Sequence, residues 1–385
     1  MRSGRGPSAL PKTSTDAHAG RVDDQLAAAA KLSTLDRYLP VWIGFAMASG
    51  LLLGRLIPGL DDALDAIRIG TVSLPIAIGL LAMMYPVLAK VRYRHIGDEL
   101  ADRRTLGLSL TMNWLIGPAL MFTLAWTFLR DLPGLRTGLI IVGLARCIAM
   151  VLIWNDLACG SRELAAGLVA INSVFQIVMY SVLGWFYLTV LPGWLGFDTA
   201  DLHVAIWDIA RSVLVFLGIP LAAGYLTRRI LEPRHGTDWY EHRFIPRIGP
   251  VALYGLLFTI IVLFALQGDQ ITSHPLDVIR VAVPLLVYFA VMWSVSFVTA
   301  FRLHIPYERN ASVAFTAAGN NFELAIAVAI GVFGVTSGQA LAGTIGPLIE
   351  VPALLALVYV SLWARRRFYS SASEPARTTE PIHPT

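Results

Sequence analysis

The residues that could do chemistry in this sequence sit where charge and polarity are costly. Cys147 follows Arg146 in TGLIIVGLARCIAMVLIWNDLACG, an apolar stretch with Asn155 and Asp156 near its end. Glu323 follows Gly319, Asn320 and Asn321 in NASVAFTAAGNNFELAIAVAIGV, while Glu350 lies in LIEVPAL and Gln176 in VFQIVMY. A charged side chain at the centre of a bilayer costs at least roughly 2.5–3.5 kcal/mol, so each faces a cavity or a partner. A lone cysteine in an apolar helix is often inert packing. Beside a positive charge, however, the thiolate is favoured, and that form is the nucleophile and the soft-metal ligand. Arg146 has two readings, a substrate contact or a buried ion pair with an acid that fixes helix register. Glu323 and Glu350 are read as groups that bind and release a proton. Desolvation favours the neutral acid, and donors freed at a helix break favour the carboxylate. Asn113, Gln176 and the less central Asp156 are read as supporting polar groups. Cys159, in a short loop, is read as inert.

The elements carrying these residues are membrane spans. Of the 385 residues 56% are hydrophobic and 15% charged, where a soluble domain carries about 25% charge. Ten apolar blocks fall near 39–57, 70–90, 105–129, 137–157, 163–190, 204–227, 248–267, 279–301, 310–334 and 339–364. Each is near the ~20 residues that cross a hydrocarbon core as helix. Membrane-barrel strands are excluded, because they would alternate over about 10 residues. The net charge of +4 does not indicate nucleic acid. Nineteen Lys and Arg lie in alternate inter-block stretches and five in the others, which is the positive-inside pattern with both termini cytoplasmic. His203, His235, His242 and His274 lack ligand spacing, so no metal site is read.

Five blocks per half is the arithmetic of an inverted repeat, with repeats at about 37–195 and 200–367 inside a transporter domain spanning 37–367. Residues 1–36 and 368–385 are expected to be disordered cytoplasmic tails. Gly-Asn-Asn at 319–321 interrupts the ninth block. It is read as an unwound crossing, where half-helices aim backbone groups at a ligand. Gly50 and Gly54 form a helix-packing GxxxG in the first block. Trp194, Trp239 and Trp363 are read as interface anchors. There is no Walker-type loop and no stretch long enough for a nucleotide-binding domain, so ATP-driven pumping by this chain is not expected and no cofactor is called for. No paired Asp, Ser/His or HExxH motif within the spans supports an intramembrane protease, and no soluble domain supports a sensor.

Three segments, 73–93, 136–176 and 319–352, closely resemble the arsenite permeases of arsenical resistance, in the superfamily that contains the bile-acid/sodium symporters. The resemblance covers about Leu39 to Trp363. It implies an all-α integral membrane fold of ten helices in two inverted five-helix repeats, with crossing, broken fourth and ninth helices. It places that family's essential cysteine on Cys147 and its essential glutamate on Glu323. It further implies export of arsenite, sometimes antimonite, across the cell membrane in exchange for protons. The substrate site is expected to hold Cys147, Glu323, Arg146, Asn320 and Asn321. The sodium-binding polar cluster of the bile-acid branch is not evident. The alternative is an organic-anion/sodium symporter in which Arg146 meets a carboxylate.

Overall fold

The structure is a computed structural model that describes residues 39–57, 59–60, 68–69, 72–91, 102–197, 205–273 and 275–369. The tail expected at 1–36 lies outside these residues, as does 370–385. Phe368 and Tyr369 are not tail but the end of the last helix. Among the described residues the chain is helical, apart from a two-residue antiparallel pair, β1 (Arg68–Ile69) with β2 (Val72–Ser73). The helices are α1 (Leu39–Leu56), α2 (Leu74–Ala89), α3 (Arg103–Phe128), α4 (Pro133–Leu144), α5 (Met150–Leu157) and α6 (Arg162–Trp194). They continue with α7 (Ile206–His235), α8 (Ile245–Ser273), α9 (Pro275–Arg302), α10 (Tyr307–Ala318), α11 (Phe322–Phe333) and α12 (Gly338–Tyr369). Among the described residues six helical runs are long and apolar enough to cross a membrane: α3, α6, α7, α8 with the turn before it, α9 and α12. Shorter apolar helices occur in α1, α2, α4 and α11.

Large apolar side chains cover the outside as well as the core, and several polar ones are buried. Val41, Phe45 and Leu52 on α1, Val178 on α6 and Leu276 and Ile279 on α9 are exposed, while Asn113, Arg146, Gln176 and Asn320 are buried. A surface of this kind is stable in hydrocarbon, where apolar side chains face lipid and backbone groups bond within helices. The long helices also carry prolines, whose missing N–H and bulky ring cannot fit an undistorted turn. The chain widens by one π-turn just before Pro118, Pro192, Pro220 and Pro246. In each case the residue preceding the proline donates to the carbonyl five residues back, as Gly117 does to Met112. Backbone pairing therefore survives the ring.

Close approach is set by glycine. A methyl built on Gly50 or Gly54 would stand 2.5 Å from the carbonyl oxygen of Ile261 or Ala265, so α1 lies directly on α8. Gly138 lets α4 touch the backbone of α12 at Gln339 in the same way. Trp194 and Trp363 are exposed, as interface anchors would be.

Candidate functional site

Both α4 and α10 stop in mid-block. Ala145 ends α4 in an extended conformation (φ −82°, ψ 121°), and Gly319 ends α10 likewise (φ −72°, ψ 144°). The two unwound segments run antiparallel and pair Arg146 with Asn320. Cys147 N–H donates to the Gly319 carbonyl at 3.3 Å, and Asn321 N–H donates to the Ala145 carbonyl at 3.1 Å. Each break thus supplies the backbone partners that the other has lost.

Side chains complete the pairing. The Arg146 N–H donates to Gln176 Oε1 of α6 at 3.0 Å, and the Asn320 N–H donates to Glu350 Oε1 of α12 at 3.2 Å. In both cases the acceptor lies 30 residues further along the chain. Asn320 Nδ2 caps α4 by donating to the carbonyls of Val142 (2.8 Å) and Ala145 (3.2 Å). The next residue in each break caps the helix that follows it. Asn321 Oδ1 accepts from Leu324 N–H at 3.0 Å at the start of α11, and Cys147 Sγ accepts from Val151 N–H at 3.3 Å at the start of α5. Glu323 sits in the first turn of α11, half-buried, where the helix dipole is positive. A methyl built on Gly319 would meet Cys147 Cβ at 3.0 Å and Glu350 Oε1 at 3.5 Å. The Cys147 side chain, by its Cβ, and the Glu350 carboxyl group therefore both approach this one glycine. Asn320 Oδ1, Asn321 Nδ2 and Arg146 Nε are buried beside them and make no hydrogen bond among the described residues.

Two expectations need correction. Arg146 forms no ion pair with an acid among the described residues, and its guanidinium is not turned to the Cys147 sulfur. It donates to the Tyr288 hydroxyl at 2.9 Å and to the Gly143 carbonyl. The positive charge thereby faces the negative end of α4, which compensates the helix dipole without a carboxylate. Asp156 does not support the site. It lies at the end of α5 and pairs with Arg162 at 2.8 Å, with the Arg162 side chain 59% exposed. Asn113 is only adjacent. Its Nδ2 donates to the Ser109 carbonyl at 2.8 Å, and Asn113 itself lies one turn before Gly117, whose added methyl would touch Arg146 Nη1 at 2.8 Å. Cys159, buried and at φ 56°, closes the turn between α5 and α6, away from the crossing.

Two residues at the site were not anticipated from sequence. Tyr288 of α9 holds Arg146, and Tyr180 of α6 donates to the Ile141 carbonyl at 2.9 Å. A tyrosine in mid-span must find a partner for its hydroxyl, and that was the signal available. Chemically, the crossing offers one soft sulfur, two carboxyl groups and amide dipoles in a water-poor interior. Among the described residues no group of three or more His, Cys, Asp or Glu could enclose a metal ion.

Residues 77–274 match the Sodium Bile acid symporter family. The chain is 57% identical over 356 residues to the arsenical-resistance protein Acr3 of Corynebacterium glutamicum, covering 92% of this chain and 96% of that one. It is 30% identical over 349 residues to the Acr3 of Alkaliphilus metalliredigens, covering 88% and 95%. With its apolar helices this is a multi-pass membrane protein, and the chain belongs to the arsenical-resistance Acr3 permeases within the sodium/bile-acid symporter family.

Proposed function

We propose that this protein is a secondary transporter that exports arsenite from the cytoplasm in exchange for protons, with antimonite as a second cargo. The observation that carries the reading is the approach of the Cys147 side chain, by its Cβ, and the Glu350 carboxyl group to Gly319, inside a crossing of two broken helices. The 57% identity to an arsenical-resistance protein supports arsenite as the solute. Arsenite in neutral water is As(OH)₃. The thiol of Cys147 exchanges with one hydroxyl: an S–As bond forms, an As–O bond breaks, and the thiol proton leaves with the hydroxyl as water. The reverse step, with water attacking arsenic, releases As(OH)₃ on the other side. A single sulfur keeps the bond reversible, because conduction requires a site weak enough to leave. Asn320 and Asn321 present amide groups to the arsenic hydroxyls. Arg146 serves by holding the end of α4 in place. Glu323 carries the exchanged proton, and Glu350 supports it from α12.

The same reading takes the chain as ten crossings in two inverted halves, the broken ones being α4 with α5 and α10 with α11. The matched 30-residue separations support it, since one acceptor and one capping residue recur in each half. The protein then lies in the cell membrane with both termini cytoplasmic. An organic-anion/sodium symporter is disfavoured, because the guanidinium that would meet a carboxylate is engaged by Tyr288 and Gly143. Arsenite uptake into everted vesicles tests the reading. A proton gradient should drive uptake and a protonophore should collapse it; uptake that needs sodium and ignores the protonophore would favour the symporter.

A further inference from the structure

We infer that Gln176 is a positioning residue for the Cys147 thiol and the uncharged counterpart of Glu350. Where α4 ends, the N–H of Arg146 has lost its helical acceptor, and a buried donor left in that state is costly. The Gln176 side chain, fully buried on α6, takes it at 3.0 Å. The other end of the same carboxamide is tied down, since Nε2 donates to the Asn172 carbonyl at 3.2 Å. The orientation of the amide is dictated, because only oxygen can accept from the Arg146 N–H. Two successive backbone N–H groups are therefore pinned, Arg146 to Gln176 and Cys147 to the Gly319 carbonyl. Together they set the Cα of Cys147 and hence the aim of its sulfur at the start of α5.

In the other half the same task falls to a carboxyl group, Glu350 on the N–H of Asn320. The two acceptors differ in one respect that matters. A carboxamide keeps the same strength as an acceptor at every pH, whereas a carboxyl group changes when it gains a proton. The half that holds the sulfur is thus fixed by a neutral group. The half that holds Glu323 is fixed by an ionisable one. Gln176 keeps the thiol in one place while protonation acts on the other side of the crossing.

The test combines Cys159→Ser, which leaves Cys147 as the sole thiol, with Gln176→Met and Gln176→Glu. Methionine keeps the length of the side chain and loses the acceptor; glutamate keeps the acceptor. The rate of modification of Cys147 by methyl methanethiosulfonate, read by mass spectrometry in membranes, needs no assumption about cargo. Arsenite KM and kcat in vesicles rest on the export reading and are measured beside it. Gln176→Met should label at least about fivefold faster and raise KM about tenfold with kcat less affected, on the scale of one lost buried hydrogen bond. Gln176→Glu should label within about twofold of the parent, with its acceptor restored. If Gln176→Met fails to reach the membrane, Gln176→Asn, one methylene too short to reach the N–H, takes its place with the same expectation. Parental labelling in the acceptor-deficient variant, or labelling of Gln176→Glu as fast as of that variant, overturns the assignment. A parent that labels as expected but moves no arsenite would refute the export reading and leave this one standing.

Discussion

Replacing the sulfur of Cys147 by oxygen keeps nearly the same side-chain size and removes the soft ligand. Cys147→Ser should abolish arsenite export while the protein still reaches the membrane, because a hydroxyl is a hard, weak ligand for trivalent arsenic. Cys159→Ser should export at the parental rate, since Cys159 lies in the turn after α5. Arsenite accumulation in cells expressing each variant measures both, and full export by Cys147→Ser would remove thiol coordination from the mechanism. The break at Asn320 and Asn321 was legible in the sequence, because Gly-Asn-Asn in mid-span has few innocent explanations. The direction of Arg146 was not. Its neighbour in sequence is Cys147, but its charge is satisfied by the end of α4 and by a tyrosine 142 residues away. Adjacency along a chain in extended conformation points successive side chains to opposite sides, and that explains why the expected contact with sulfur does not form. Asp156 misled for a related reason: at the end of a short half-helix it reaches Arg162 of the next helix.

The break in each crossing depends on how closely neighbouring helices approach it. Gly346 of α12 lies against the ring of Phe322, and an added methyl would overlap that ring. Phe322 stands between Asn321 and Glu323, so Gly346→Ala should displace the start of α11. A loss of at least about tenfold in kcat/KM for export is expected, about 1.4 kcal/mol in the barrier, with unchanged membrane expression. Unaltered kinetics would show that the α11 terminus is not held by this contact. A second change acts away from the site. Asp102 caps α3 by accepting from Arg104 and Thr105 N–H and from the Thr105 hydroxyl at 2.6 Å. The Thr105 hydroxyl, foremost, holds its carboxyl below the usual carboxylate range. That contribution is complete above the ordinary carboxylate pKa and is lost as pH falls through the lowered one. Asp102→Ala should therefore cost about 1 kcal/mol at neutral pH, seen as a lower Tm of the detergent-solubilised protein; an unchanged Tm would show that the cap contributes nothing. Helix positions were readable from hydropathy. The π-turns were not, although Pro118, Pro192, Pro220 and Pro246 announced them, because a proline inside a helix can equally kink it.

At the scale of the whole molecule the account requires two halves of opposite orientation moving around one crossing. Reporter fusions after Arg37, within 228–247 and after Arg367 should report cytoplasm, and a fusion within 191–203 the outside. An external signal from 228–247 would end the ten-crossing arrangement, whose basis is the one-sided distribution of Lys and Arg. A correspondence between Gln176 and Glu350 was visible in the sequence, because each is a polar group in the middle of an apolar block. Their shared role as acceptors from the N–H of Arg146 and Asn320 was not. The most direct measurement of the central claim is arsenite-linked proton movement in proteoliposomes, for the parent, Glu323→Gln and Glu350→Gln. The parent should move protons against arsenite. Glu323→Gln should bind arsenite within about tenfold of the parent, roughly 1.4 kcal/mol, and move no protons, while Glu350→Gln retains some coupling. Coupled transport by Glu323→Gln together with its loss in Glu350→Gln would contradict the account and make Glu350 the proton carrier.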